Sequence, residues 1–341
     1  MGWFVARRLV AALVTVWIVA TAGFLLVELI PGDPARQLAG PGASAEALAS
    51  IREAYGFDDP LPVRYVEAMA RMAQGDLGYS FAKAEPVTDA LLRSLPTTLL
   101  LTSLAFMVEV LIAIPLALWV VSRGGIADRL LVILAGFTAA IPAFLVGLLL
   151  IYVFAFRLRI FPLGGADSPA AYVLPVLTLG IPFGLVLARL LRTSLLDQRS
   201  QPYVAFSEAM GESAWSVRWR HLLPNALLPL LSILALDFAG LFSAVAVVEV
   251  AFSMPGLGAD LLLGLTRLDT ALIVGIGIIA GLLVALVNLL ADLAVIAIDP
   301  RVRRSTKPLV GPSPIAASNA LVYSCCGRSK ISSRVPLSTI C

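Results

Sequence analysis

Histidine and cysteine are nearly missing from this chain. Of 341 residues one is His, at position 221, and three are Cys, at positions 325, 326 and 341. A structural or catalytic metal site needs three or four such ligands, so a multi-ligand metal site is not expected. There is no GxxxxGK[ST] phosphate loop, no HExxH and no CxxC, which removes the common nucleotide, metalloprotease and thiol-redox signatures. Charge is scarce as well. Only 14% of residues are Asp, Glu, Lys or Arg, and the net charge of +3 is too small to mark a nucleic-acid surface.

What fills the chain is hydrocarbon. Hydrophobic residues make up 59%, and the mean hydropathy is +0.93, far from the composition of a soluble domain. Six apolar runs stand out, over residues 9–30, 97–121, 130–156, 172–191, 226–250 and 271–298. About 20 consecutive apolar residues are enough to cross a bilayer as a helix. The expected fold class is therefore an all-α integral membrane protein with six transmembrane helices. The first run follows Arg7 and Arg8 but is too long for an ordinary signal peptide, and it is read as a retained helix.

Arginine sets the orientation. With the N-terminus inside, the inner segments hold Arg7, Arg8, Arg123, Arg129, Arg189, Arg192, Arg199, Arg218, Arg220, Arg301, Arg303 and Arg304; the short outer loops hold Arg157, Arg159 and Arg267. Positive charge collects in the cytoplasm, so both termini are expected there. Residues 31–94 then form an extracytoplasmic segment. Ser44 ahead of Glu46 predicts a helix over 45–55 closed by Gly56, and Pro62 to Ala73 predicts a second, ending at Gly75. With so little apolar surface, this segment must lean on the membrane domain or a partner.

Acidic residues inside apolar runs draw attention. Glu109, Asp237 and Asp292 lie within runs, and Glu28 and Glu249 near run ends. Each costs roughly 2.5–3.5 kcal/mol on insertion scales and should face protein or water. Glu109, Asp237, Glu249 and Asp292 are candidates to line a translocation route, against the plainer reading of carboxyls bonded to neighbouring polar groups. No basic residue sits mid-run, which argues against a fixed ion-pair relay. Gly180–Gly184 and Gly277–Gly281 have the GxxxG spacing of close helix approach.

The longest inner loop, 192–224, carries most of the stretch SEAMGESAWSVRWRHLLPNALLP, residues 207–229. Tyr203, Phe206 and Met210 recur at helical spacing, and Gly211 interrupts. Trp215, Trp219, Leu222 and Leu223 are expected on one stripe, with Arg218 turned away. Two amphipathic pieces joined at a glycine suit either a lipid surface or a groove on a cytoplasmic partner.

Here the sequence resembles a known family. EAMG, ten residues and then LLP is similar to the EAA loop of ABC-importer permeases, carried by Glu208, Ala209 and Gly211. The longer string YVAFSEAMGESAWSVRWRHLLPNALLPLL resembles the oligopeptide/dipeptide subfamily. Tyr203, Val204, Arg220, His221, Asn225 and Pro229 match it, and Glu208 and Pro224 depart from it. IPGDPA, GFDDPLPVRY, GDLGYSF, SLPTTLLLT, IPAFLVGLLLIY, VVEVAFSMPGLG and DPRVR follow in the subfamily's order, so the resemblance covers residues 1–304.

The resemblance implies a type I ABC importer permease of the B type, in the bacterial inner membrane, for di- or oligopeptides or similar small solutes. It implies a first helix at 1–30, an extracytoplasmic helical segment at 31–94 and a five-helix permease core at 95–304. It also implies a second permease, two ATPase subunits that bind ATP and Mg, and a solute-binding protein. No cofactor belongs to the chain itself, no catalytic residue is expected, and no nucleic acid is a partner. In the family the loop is a coupling helix gripped by an ATPase. Glu208, Ala209, Gly211, Glu212, Trp215, Arg218, Trp219 and His221 would serve that contact, with His221 also readable as a plain loop-to-helix hinge. A secondary transporter would instead show inverted repeats and a helix broken mid-membrane. An intramembrane enzyme would need a nucleophile and base within the runs. Residues 305–341, rich in Ser and Pro, have no family counterpart and read as a disordered tail.

Overall fold

The computed structural model describes residues 2–29, 34–39, 43–56 and 58–298. Residues 305–341 and the side chains of Glu28 and Asp292 lie outside the described residues. The described residues up to 295 pack as one unit.

The described residues are helical almost throughout, as lipid demands, because a backbone group without a partner there has no water to turn to. Helix α1 runs over Gly2–Leu29 and the short α2 over Pro34–Ala39. Helix α3 spans Ala45–Tyr55. The Ser44 side chain accepts from the Ala47 N–H at its start, and Gly56 closes it at φ 63°, as the capping residues imply. Helix α4 spans Leu61–Ala73. It leans on the membrane helices: Tyr65, Ala68, Met69 and Met72 pack against Ala20, Phe24, Val274 and Ile278, and the Tyr65 and Thr21 hydroxyls meet at 2.8 Å.

A small hairpin, β1 (Tyr79–Ser80) and β2 (Glu85–Pro86), was not anticipated. Its antiparallel register pairs Tyr79 with Pro86 and Ser80 with Glu85. It leads into α5, Val87–Arg123, 37 residues long. At 1.5 Å per residue that is roughly 55 Å, nearly twice a bilayer core, so α5 extends well beyond the apolar run that predicted it.

The run at 130–156 does not form one straight helix. Helix α6 (Gly125–Ala140) and α7 (Ala143–Leu150), which continues as a π-helix to Arg157, meet at 96°. Ile141 is extended, at φ −90° and ψ 128°. Pro142 disfavours the helical region for the residue before it and brings no N–H, and the helix breaks there.

Helix α8 spans Pro169–Arg199 and crosses α5 closely. A Cβ on Gly180 would lie 2.6 Å from Val108 Cγ1, and one on Gly184 would lie 3.1 Å from the Glu109 carbonyl oxygen. The first GxxxG pair is thus a real helix crossing. Gly277 plays a similar part against Val19 at 3.0 Å, whereas Gly281 meets nothing closer than 3.9 Å.

The loop after α8 contains α9 (Pro202–Ala209), α10 (Ala214–Ser216), a π-helix over Val217–Leu222 and α11 (Leu223–Leu227). Helix α12 spans Leu231–Ala251, α13 Leu257–Arg267 and α14 Thr270–Ile298. Four described helices are long and apolar enough to cross a membrane, five if the bent α6–α7 pair is one span. The central core, between α5, α8 and α12, includes Leu101, Leu174, Leu179, Leu241, Val245 and Phe252.

Candidate functional site

The loop between α8 and α12 has a buried back and an apolar front. Val204, Val217, Leu222, Leu223 and Ala226 pack with Ala117 and Leu118 of α5 and Leu191 and Leu195 of α8. Phe206 and Met210 are exposed, and so are Trp215, at 66%, and Trp219, whose rings lie 5.9 Å apart. The stripe expected to hold both tryptophans together with Leu222 and Leu223 is therefore split. The π-helix at Val217–Leu222 closes its bonds from i to i+5 rather than i+4, which moves the faces out of α-helical phase. The tryptophans turn outward and the leucines inward.

The turn itself is braced. Gly211 sits at φ 83°, a left-handed conformation that costs glycine little and other residues more. A Cβ there would touch nothing within 4 Å, so the requirement is conformational. Ser213 caps α10, accepting from the Ser216 N–H at 3.2 Å. Glu212 accepts from the Ser216 hydroxyl at 2.9 Å and lies 3.1 Å from His221 Nε2. The Ser216 hydroxyl, and after it His221 and Arg220, hold the Glu212 carboxyl below the usual carboxylate range. Asn225 donates to the His221 carbonyl at 2.7 Å, and Arg218 donates to the Ala214 carbonyl at 2.9 Å. Glu208 and Ala209 are exposed beside the turn.

The acids of the helices fall into two environments. Glu249, at the end of α12, is fully buried and saturated with donors. One oxygen accepts from the Thr98 hydroxyl at 2.6 Å, the other from the Gly258 N–H at 2.7 Å. Thr98 in turn accepts from the Leu257 N–H at 2.9 Å. Nearby, Asp260 pairs with Lys83 at 2.7 Å and accepts from the Ser94 hydroxyl. Asp269 accepts from the Ser80 hydroxyl at 2.7 Å and the Ala82 N–H at 3.0 Å. These bonds tie α13 to α12, to the start of α5 and to the hairpin.

Glu109 and Asp237 meet where α5 crosses α12. The T-shaped pair of Phe106 and Phe238, centroids 5.4 Å apart, marks the same crossing. Glu109 is 0% exposed, and Asp237 is half-buried. Neither oxygen of Glu109, nor Oδ2 of Asp237, has a hydrogen-bond partner. So of the candidate route residues, Glu109 and Asp237 come together, Glu249 belongs to a separate polar cluster, and the Asp292 side chain lies outside the described residues. Lys83, Ser94, Thr98, Asp260 and Asp269 were not singled out from sequence. Lys83, Ser94, Asp260 and Asp269 sit outside the apolar runs and Thr98 at the edge of the 97–121 run, where charge and hydroxyl carry no signal of burial.

Long apolar helices around a polar loop define a multi-pass membrane protein. Comparison with known proteins gives its family. Residues 109–304 match the binding-protein-dependent transport system inner membrane component family, and residues 1–102 match the N-terminal region of the same transport-system membrane components. The chain belongs to this family. It is 33% identical over 314 residues to the probable peptide ABC transporter permease protein y4tP of Sinorhizobium fredii (strain NBRC 101917 / NGR234), covering 89% of this chain and all of that one. It is 38% identical over 304 residues to the glutathione transport system permease protein GsiC of Salmonella paratyphi A (strain ATCC 9150 / SARB42), covering 88% and 98%. The fold also resembles that of the inward-facing MetNI methionine ABC transporter, at a TM-score of 0.52 and 22% identity over 62% of this chain and 97% of that one. The expected recognition is borne out: this is an inner-membrane permease subunit of an ABC importer and not an enzyme.

Proposed function

We propose that this permease carries peptides or similar small solutes, forms its route with a second and different permease, and is driven through the 192–224 loop by two ATPase subunits that bind ATP and Mg. The observation that carries this is the loop's two-sided build. Its back is anchored in the cores of α5 and α8, while Phe206, Met210, Trp215 and Trp219 face outward. Burying each such side chain yields about 1.5–3 kcal/mol, a contact strong enough to be gripped. Because the loop's back is packed on two long helices, displacement of the loop must move those helices. Glu208, Ala209, Gly211, Glu212, Arg218 and His221 shape and orient the contact.

Six spans follow if α1 and the bent α6–α7 pair are each counted, beside α5, α8, α12 and α14. The arginine distribution supports cytoplasmic termini and an extracytoplasmic 31–94 segment facing a solute-binding protein. The domain division is that segment, the first helix, the core to residue 304 and the tail. Among the acids, half-buried Asp237, with Glu109 beside it, supports the route reading most directly, while Glu249 sits in the separate polar cluster. The names of the relatives, peptide and glutathione permeases, support the substrate class.

The test is a cross-link. The three native cysteines are replaced, and one is placed at exposed Met210, opposite single cysteines in the cleft of the candidate ATPase. A nucleotide-sensitive cross-link is expected. Its absence at every cleft position, in an assembled complex, would overturn the coupling role of the loop and return the tryptophans to the lipid surface.

A further inference from the structure

The Glu109–Asp237 crossing has no counterpart in the polar network at the other end of α12. A fully buried glutamate with both oxygens unpartnered faces a second carboxyl whose Oδ2 is unpartnered too. Two ionised carboxylates cannot share an apolar crossing without a counter-charge. None is supplied. Among the described residues neither acid takes part in an ion pair. The elements packed on α5 and α12 direct their charges elsewhere. Asp128 of α6 pairs with Arg192 of α8, Asp260 of α13 pairs with Lys83, and Glu249 is held by Thr98 and Gly258. Arg129 of α6, Arg189, Asp197 and Arg199 of α8, and Arg267 of α13 make no ion pair with either acid.

A metal cation is a poor occupant. Hard cations take six or more oxygens, whereas α5 and α12 are continuous helices around these positions and keep their carbonyls in helical bonds. No group of three metal-ligating side chains occurs among the described residues. On α8, Gly184 packs against the Glu109 backbone, and Phe106 and Phe238 cover the crossing alongside. The ligand that fits two carboxyls and nothing else is a proton. Once bound, it becomes a donor from one acid to the other.

We propose that Glu109 and Asp237 form a proton-binding site, in which one proton held between the two carboxyl groups joins α5 to α12. The proton comes from and returns to solvent, and no covalent bond to carbon changes. Losing it places two like charges across the crossing and loosens the packing of α12, the helix that continues from the 192–224 loop.

Infrared spectroscopy of the assembled importer in lipid nanodiscs tests this. The wild type is expected to show a carboxylic-acid carbonyl band at neutral pH that is lost in the double variant E109Q/D237N. Either single variant, E109Q or D237N, is also expected to lose it, since the introduced amide supplies the donor. The singles keep the test sound if the double variant fails to assemble. An acid band identical in wild type and double variant would overturn the proposal, as would a full band retained in both singles. So would a band present in choline buffer but abolished by sodium or potassium, which would make the site a metal-cation site. The readout requires no transport, so it stands apart from the fate of the coupling-loop reading.

Discussion

Glu249 and Glu109 are both fully buried glutamates on membrane helices, yet their surroundings are opposite. Glu249 is met by a hydroxyl and a backbone N–H, and two further acids beside it are equally well supplied. Glu109 is met by another acid. The first arrangement is a fastening: with Thr98, the carboxylate receives the first N–H groups of α13, Leu257 and Gly258, which have no helical partner, and so fixes the turn between α12 and α13. The second leaves its chemistry incomplete and suits a group that gains and loses a ligand. Burial alone does not separate a structural acid from a responsive one. The supply of donors does.

The comparison breaks most severely at Gly258. A Cβ there would run into the Ala246 backbone, and backbone does not rotate away. Gly258→Ala is expected to cost about 4 kcal/mol and to abolish recovery of assembled complex. A normal yield would mean the fastening is soft. Next comes Glu249→Ala, which leaves the Gly258 N–H unpaired and the Thr98 hydroxyl with only the Ser94 carbonyl at 3.4 Å, at about 1–3 kcal/mol for a buried group left unpaired. The thermal midpoint of the complex in detergent should fall by several degrees. If Glu249→Ala were neutral, the two regions would not differ in the way proposed.

The sharper contrast lies in isosteres. Replacing both partners of the second region, Glu109→Gln with Asp237→Asn, removes the like-charge problem and leaves complementary amides. Its expected effect on stability is within about 1 kcal/mol, read from the same melting experiment. A collapse as deep as that of Glu249→Ala would place Glu109 among the structural acids.

The loop provides a third setting, an acid in the open. Gly211→Val forces a β-branched residue to φ 83°, about 1–2 kcal/mol of local strain with no steric clash. Membrane insertion should survive while ATP hydrolysis and transport come apart, measured as turnover in proteoliposomes with and without substrate. The smallest effect belongs to Glu212. Its folded carboxyl is held low by Ser216, His221 and Arg220. Its contribution is therefore present above the ordinary carboxylate range and fades as pH falls through the lowered folded value. An acid titration of Trp215 and Trp219 fluorescence should show a modest transition that Glu212→Gln removes.

Much of this was legible residue by residue. Ser44 and Gly56 marked the ends of α3 because caps are local chemistry. Gly180 and Gly184 announced a close crossing, and it is with α5. The split of the tryptophan stripe was hidden, because a π-turn follows from packing Val217 and Leu222 into the core rather than from any residue type. The 96° turn at Pro142 was not legible in the 130–156 run, since the angle is set by what α6 and α7 pack against. Helix α13 passed as a connecting loop, because Gly and Asp interrupt its apolar pattern.

By itself the sequence determined membrane embedding, the capped ends of α3 and the glycine turn of the polar loop, since hydropathy, caps and turns depend on neighbours along the chain. The tertiary structure alone decided which acids are satisfied. Thr98 reaches Glu249 across 151 positions and Asp237 reaches Glu109 across 128, and electrostatic environment depends on distance in space, for which sequence separation is no guide.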